Sequence, residues 1–348
     1  METTRFKSGI ILGYCCLNLV LFTHCKGKHV ETVKPTKELE VPKELEKAYE
    51  IKDVEQVFPQ DSLSLDTDAT ASERVKATKA GSKKSKTALG APSRRPERDP
   101  IIPGEKIWMD VTWLSTKAGE FLLEVLPFKA IKNRKVYHLK GTAKTSDLFS
   151  LVYKAEDWVE SFIDFEGWYP HKFILHGDET KHLRNHLELF DHQAKKQYVH
   201  IYDYRIHKKE VHEEKGYKDL IPFSQDALSA LYYVRTQKID VGNVIKFPMT
   251  TGGNQWETEV HVIKKEDVST KMGYRKAIKT KVLTKFKGVL QQQGDSFIWY
   301  SDDELKAPLR FEAKVRIGWV SGIVKKIESP LLQLNAQTAS EASPVRAY

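Results

Sequence analysis

The sequence predicts an all-β fold, mainly antiparallel: a single curved sheet, barrel-like or half-barrel, with one short helix at about 224–236. Three observations predict it. Between about Asp99 and Glu328 the residues Trp, Tyr, Phe, Ile and Val become frequent and recur in short runs of period two, the spacing of half-buried strands. Gly, Asn and Asp punctuate those runs at hairpin intervals. One segment alone carries helical spacing in place of alternation.

The runs can be taken in order. Lys106–Trp113 is the first, followed by Gly119–Phe128 and, through the Asn133-Arg134 turn, Lys135–Thr142. Trp158–Phe165 and His171–His176 flank Gly167 and Pro170. Leu183–Phe190 and Gln197–Ile206 flank Asp191-His192-Gln193, a hairpin loop. Val244–Met249, Gln255–Ile263, Arg275–Phe286, Ser296–Tyr300 and Leu309–Val320 complete a meander of about ten or eleven strands. The helical segment is Ala227–Arg235, where Ala227, Leu228, Leu231 and Tyr232 share a face. Ser224 is placed to cap it, and Asp226 lies in the first turn, where the helix dipole favours negative charge. A weaker helical turn is expected at Ser146–Val152.

Composition sets outer bounds. The chain has 348 residues, 40% of them hydrophobic and 30% charged, with a net charge of +9. That excludes a bundle of membrane-spanning helices and disorder throughout. All three cysteines precede residue 26, which excludes a disulfide framework or a cysteine-zinc cluster in the folded part.

Residues 1–25 have the layout of an export signal. Arg5 and Lys7 form a positive n-region, and Gly9–Phe22 form an apolar stretch short for a spanning helix. The ending Leu21-Phe22-Thr23-His24-Cys25 resembles a bacterial lipobox, with Phe22 and His24 departing from its usual residues. The resemblance implies lipid attachment at Cys25. Lys26 is not the Asp that would imply inner-membrane retention, so it implies anchoring to the outer membrane. Residues 26–98 read as a disordered tether with a basic C-terminal half, interrupted by Pro42 and spanning about 45–50 Å. The tail 329–348 reads as disordered.

Motifs for chemistry are weak. Eight of the twelve histidines fall between His171 and His212, and His182 and His186 share a face near Glu188 and Asp191. There is no HExxH and the spacings are irregular, so no metal and no cofactor is expected. Asp302, Asp303 and Glu304 form an acidic cluster in a turn position. Gly252-Gly253-Asn254 is a hairpin signal without the Lys-Ser/Thr of a phosphate loop, and no Gly-x-Ser-x-Gly elbow occurs. The basic run has no interleaved aromatics, and an exported chain would not meet nucleic acid.

Several marks arrive in a family order. They are Gly104-Glu105, Ala118-Gly119-Glu120, Asp226 to Arg235 followed by Gly242, Glu266 with Gly273, and Ile298 to Asp303 with Pro308-Leu309-Arg310. Over most of residues 103–320 the chain resembles the bacterial domain-of-unknown-function family DUF3108. The resemblance implies an exported, mostly β protein related in shape to carrier-type half-barrels of the Gram-negative envelope, and implies no activity.

The expected function is that of a non-catalytic envelope lipoprotein whose β domain binds a hydrophobic ligand or an envelope partner. Asp226, Tyr232, Arg235, Trp299, Asp302 and Asp303 are the candidate ligand or partner surface. The alternatives are an envelope enzyme acting on glycan or peptidoglycan through acids such as Asp302, Asp303 or Glu266, and a spacer whose tether binds cell-wall polymer. The sequence leaves the oligomeric state open.

Overall fold

A computed structural model describes residues 39–58, 93–286, 289–315 and 318–332, with side chains left aside at 285–294. The export signal, Cys25 and most of the basic run lie outside the described residues.

One antiparallel sheet dominates. Its strands are β1 (Lys52–Asp53), β2 (Lys106–Trp113), β3 (Thr116–Ile131), β4 (Arg134–Thr145), β5 (Ala155–Asp164), β6 (Pro170–Glu179), β7 (His182–Asp191), β8 (Lys196–Arg205) and β9 (Glu210–Asp219). It continues with β10 (Val244–Thr251), β11 (Asn254–Thr270), β12 (Gly273–Phe286), β13 (Val289–Ser301), β14 (Pro308–Lys314) and β15 (Trp319–Glu328). The helices are short: α1 (Lys43–Glu46), α2 (Val54–Val57), α3 (Asp147–Ser150) and α4 (Ala227–Arg235). The path runs from β10 through β15 to β2 and on to β9, with β1 added beside β3.

Register shifts at Leu126/Lys129, Phe162/Ile163, Val262/Lys264 and Val282/Thr284 mark bulges that bend the strands. The sheet therefore curls until its edge strands approach, and side chains bridge the gap. Thr250 Oγ1 donates to Gln197 Oε1 at 2.9 Å, and Gln255 Nε2 donates to the Asp219 carbonyl at 2.7 Å.

The curled sheet encloses α4. Leu228 to Arg235 are all buried, so the helix has no solvent face. It packs against β4, β5 and β10. Its cap is Asp226, which accepts from the Leu228 and Ser229 amides at 2.8 and 2.7 Å. Ser224 instead turns back to the Ile221 carbonyl, because Asp226 lies nearer the first free amides. Ser146 caps α3 as its spacing suggested, accepting from the Phe149 amide at 3.4 Å.

Three expectations need correction. Glu210–Asp219 is a strand; its mostly charged, exposed pattern hid it, and it is an edge strand, where charge blocks unwanted pairing. The run Leu309–Val320 is two strands, β14 and β15, paired at Lys314–Trp319.

The third concerns the tether. Residues 39–58 form a strap across the outer face of the sheet. Tyr49 is buried and its hydroxyl donates to the Phe190 carbonyl at 2.9 Å. With Leu39, Val41, Leu45 and Ala48 it covers Phe162, Ile174, Leu187, Leu189 and Tyr198. Pro42 starts α1 rather than interrupting a helix, since proline is tolerated where an amide partner is lacking anyway. Farther on, Arg94 bonds the Tyr233 hydroxyl at 2.7 Å and Arg95 lies 3.6 Å over the Phe165 ring.

Candidate functional site

The interior divides into two halves. On one side, α4 faces β10–β14 and leaves a narrow apolar slot. Ala230, Leu231 and Val234 line its helix wall; Phe247, Val260, Val282, Ile298 and Phe311 line its sheet wall. Its free volume is about 30 Å³, enough for one or two water-sized groups.

Two hydroxyls in the lining, Thr258 Oγ1 and Tyr300 OH, are buried without a hydrogen-bond partner. Each such group costs about 1–3 kcal/mol while unpaired. In register along β12, Thr258 stands opposite Thr284 and Tyr300 opposite Ile278. The backbones that carry the two hydroxyls are thus about 20 Å apart along the strand direction, while the helix wall of the slot, Ala230 to Val234, covers about one turn.

One ion pair locks the helix beside the slot. Arg235 is fully buried and meets Glu105 through both carboxylate oxygens at 2.7 Å. Its remaining donors reach the Leu305 and Pro100 carbonyls. The bidentate fork is the geometry in which a buried guanidinium is fully satisfied.

The other half, lined by β5–β8, is polar. Asp157, Gly177 and Arg184 stand in one row across three strands. Arg184 bonds Glu179 and lies 3.5 Å from Asp157, while the Tyr153 hydroxyl donates to Glu179. Gly177 makes the room: a β-carbon there would meet Asp157 Oδ1 at 3.2 Å and Arg184 Nε at 3.3 Å.

One cation facing two acids leaves a surplus negative charge. Burial, then the charge of Glu179, pushes Asp157 up to about 8. Burial also raises Glu188 to about 7, although its Oε1 accepts from the Gly252 amide at 2.9 Å. Burial lowers His186 to about 3. Asp157 and Glu179 are adjacent carboxylates, yet they are 4% and 1% exposed, so no cleft admits a polymer to them.

The predicted site residues separate. Asp226 caps α4 and accepts from the Ser161 hydroxyl, and burial raises its pKa to about 6. Tyr232 and Arg235 are interior, with the guanidinium 5.1 Å from the ring centre. Trp299 is 4% exposed; its indole donates to Glu266 at 2.7 Å, and Lys279 and Arg310 lie over its ring. Asp302 pairs with Lys265 at 2.9 Å. Asp303 accepts from the Leu305 and Lys306 amides, as a turn former does. The six do not form one surface: three serve the buried helix and three serve the β13–β14 end of the outer wall.

Several histidines have separate acidic partners. His171 meets Asp164 at 3.0 Å, His182 meets Asp203 at 3.1 Å and His200 meets Glu213 at 2.9 Å. Among the described residues no group of three metal-binding side chains occurs. The slot escaped sequence reading because its lining comes from strands far apart in the chain. Of the helix face that the sequence marked, Leu231 alone lines it.

A curled antiparallel sheet around a central helix is a β-barrel-like domain. Residues 109–323 match the family described as protein of unknown function DUF3108, and the chain belongs to that family. No curated protein matches it.

Among solved structures it is similar to a β-barrel-like DUF1849 protein from Brucella abortus, at 10% identity over 64% of this chain and 96% of that one, with a TM-score of 0.41. It is also similar to a candidate exported protein with a YmcC-like fold from Bacteroides fragilis, at 11% identity, 67% and 100% coverage and a TM-score of 0.29. A candidate lipoprotein from Parabacteroides distasonis matches at 10% identity, 67% and 99% coverage and a TM-score of 0.30.

Proposed function

We propose that this protein is an exported, non-catalytic lipoprotein, attached through Cys25 to the outer membrane, whose β domain binds a single apolar chain beside α4. The observation that carries this reading is the slot: an apolar lining between α4 and the sheet that includes two buried, unpaired hydroxyls, Thr258 and Tyr300. An apolar lining with few polar groups suits a molecule that is mostly hydrocarbon with a hydrogen-bonding group. The free volume of about 30 Å³ holds one or two water-sized groups, so a chain enters only if the helix and sheet walls of the slot move apart.

The test is to purify the full chain from membranes, extract it with solvent and identify what it carries by mass spectrometry. An Ala230→Phe variant, which fills the slot, serves as the control. A chain-bearing molecule present at one per protein in the native sequence and reduced in the variant is the expected result. Equal, non-stoichiometric lipid in both would overturn the reading.

A further inference from the structure

Five apolar side chains stand out of the fold at one end of the sheet. Leu114 is 55% exposed, Leu148 76%, Leu151 83%, Val152 62% and Trp319 39%. They belong to three adjoining loops: the β2–β3 turn, the α3 loop between β4 and β5, and the β14–β15 turn.

The loops touch one another. Trp113 and Phe149 meet edge to face at 6.1 Å, and the Ser146 amide donates to the Ala118 carbonyl at 2.9 Å. A β-carbon at Gly318 would lie 2.5 Å from Leu114 Cδ2, so Leu114 rests against the β14–β15 turn. Leu114 and Ser115 have φ of 48° and 64°, seats that tight hairpins usually give to Asn and Gly. Here a leucine takes the left-handed position and points its side chain outward.

We infer that this rim docks onto a lipid bilayer. Aliphatic groups beside a tryptophan suit the boundary between acyl chains and headgroups, where indole rings settle. Lys117, Lys144 and Lys154 surround them, with side chains 48%, 65% and 48% exposed; Lys117 pairs with Asp110 and Glu120, and Lys144 and Lys154 pair with Glu156. Their stems can lie along the surface with the ion pairs at its polar edge. A protein partner would also accept leucines, but a lipid on Cys25 would hold a bilayer within reach of this end.

That last step rests on the Cys25 anchor proposed above. Residues 26–38 separate Cys25 from Leu39 and span at most about 45 Å. Glu40 is held on β8 by His200 at 2.9 Å and on β9 by Lys215 at 2.7 Å. From His200 the strand runs about 17 Å to Arg205, at the same end of the sheet as the rim. A lipid on Cys25 therefore reaches a bilayer pressed against this end. The slot meets the same end, where Ser296 and Ala313 pair and Trp319 stacks on Phe297 at 6.5 Å.

The experiment is hydrogen exchange of the full chain, free and on vesicles of phosphatidylethanolamine and phosphatidylglycerol. Segments 113–118 and 146–154 should exchange about tenfold more slowly on vesicles, as expected for loops seated in the interface, while β9 does not change. Leu148→Asp with Leu151→Asp should restore the free rate. Unchanged rim exchange on vesicles would overturn docking, as would a chain that does not associate with them. Rim protection without lipid, lost in the double variant, would mean that a second copy or residues 59–92 cover the rim, and would also overturn it. A Cys25→Ser chain tests the anchor separately. If it stays on vesicles with the rim protected, docking stands and the anchor reading fails.

Discussion

The two interior halves solve the same packing problem in opposite ways. Around α4 the sheet packs hydrocarbon, and its one buried cation, Arg235, has a single acid, Glu105, held through both oxygens. Across the interior, Arg184 is shared by Asp157 and Glu179, and the surplus charge is relieved by keeping a proton. The first half fixes a helix and leaves an apolar slot; the second fixes four strands and leaves a titrating cluster. Under the proposed function, selectivity for hydrocarbon would belong to the first half, and the pH dependence of stability belongs to the second.

The largest way to break this contrast is Arg235→Ala. It leaves Glu105 buried without its partner and should cost about 3–5 kcal/mol, measured by urea unfolding. Arg184→Ala should be milder at pH 6 than at pH 8, because protonated Asp157 removes part of the stranded charge. Equal and pH-independent losses for the two arginines would contradict the comparison.

Next comes the strap behind the polar half. Tyr49→Ala should cost about 3 kcal/mol by removing a buried ring and its bond to Phe190. A loss within measurement error would show that residues 39–58 contribute no packing.

A smaller effect follows from pH. Asp157 and Glu188 have pKa values raised by folding to about 8 and about 7. The folded state then keeps protons that the unfolded chain has released, so their stabilisation is complete below about pH 4 and is lost as pH rises toward 8. His186 and His192, lowered to about 3, act oppositely, but only below their unfolded value near 6.5. Between pH 6.5 and 8 the acids act alone and stability should fall. Asp157→Asn should remove about 1–2 kcal/mol of that fall, read from urea midpoints at the two pH values.

The smallest expected change is Tyr300→Phe. It deletes an unpaired buried hydroxyl and should stabilise the empty protein by about 1 kcal/mol in calorimetry. A destabilisation of that size would mean the hydroxyl has a partner.

Much of the sheet was legible, because period two survives wherever one face is buried. Lys106–Trp113 was read to the residue, and α4 stood out through Ala227, Leu228, Leu231 and Tyr232. Charge misled the reading twice. Glu210–Asp219 was not among the predicted runs because most of its residues are charged and none is buried, and nothing in the sequence marked Asp157, Glu179 and Arg184 as buried, although they share the inward face with Val159 and Phe173. The strap had a signal that Pro42 and its lysines obscured: Val41, Leu45, Ala48 and Tyr49 keep helical spacing. The candidate site was legible only through α4, since β11 and β13 add their hydroxyls from far along the chain.

The central claim is that a hydrocarbon chain lies between α4 and β10–β14. A diazirine-bearing fatty acid, crosslinked to the full chain by light and mapped by peptide mass spectrometry, tests it directly. The account predicts labels on residues 227–235 and on the Val260 and Ile298 stretches, weakened by Ala230→Phe. Labels confined to the outer surface, with those peptides unmodified, would contradict it.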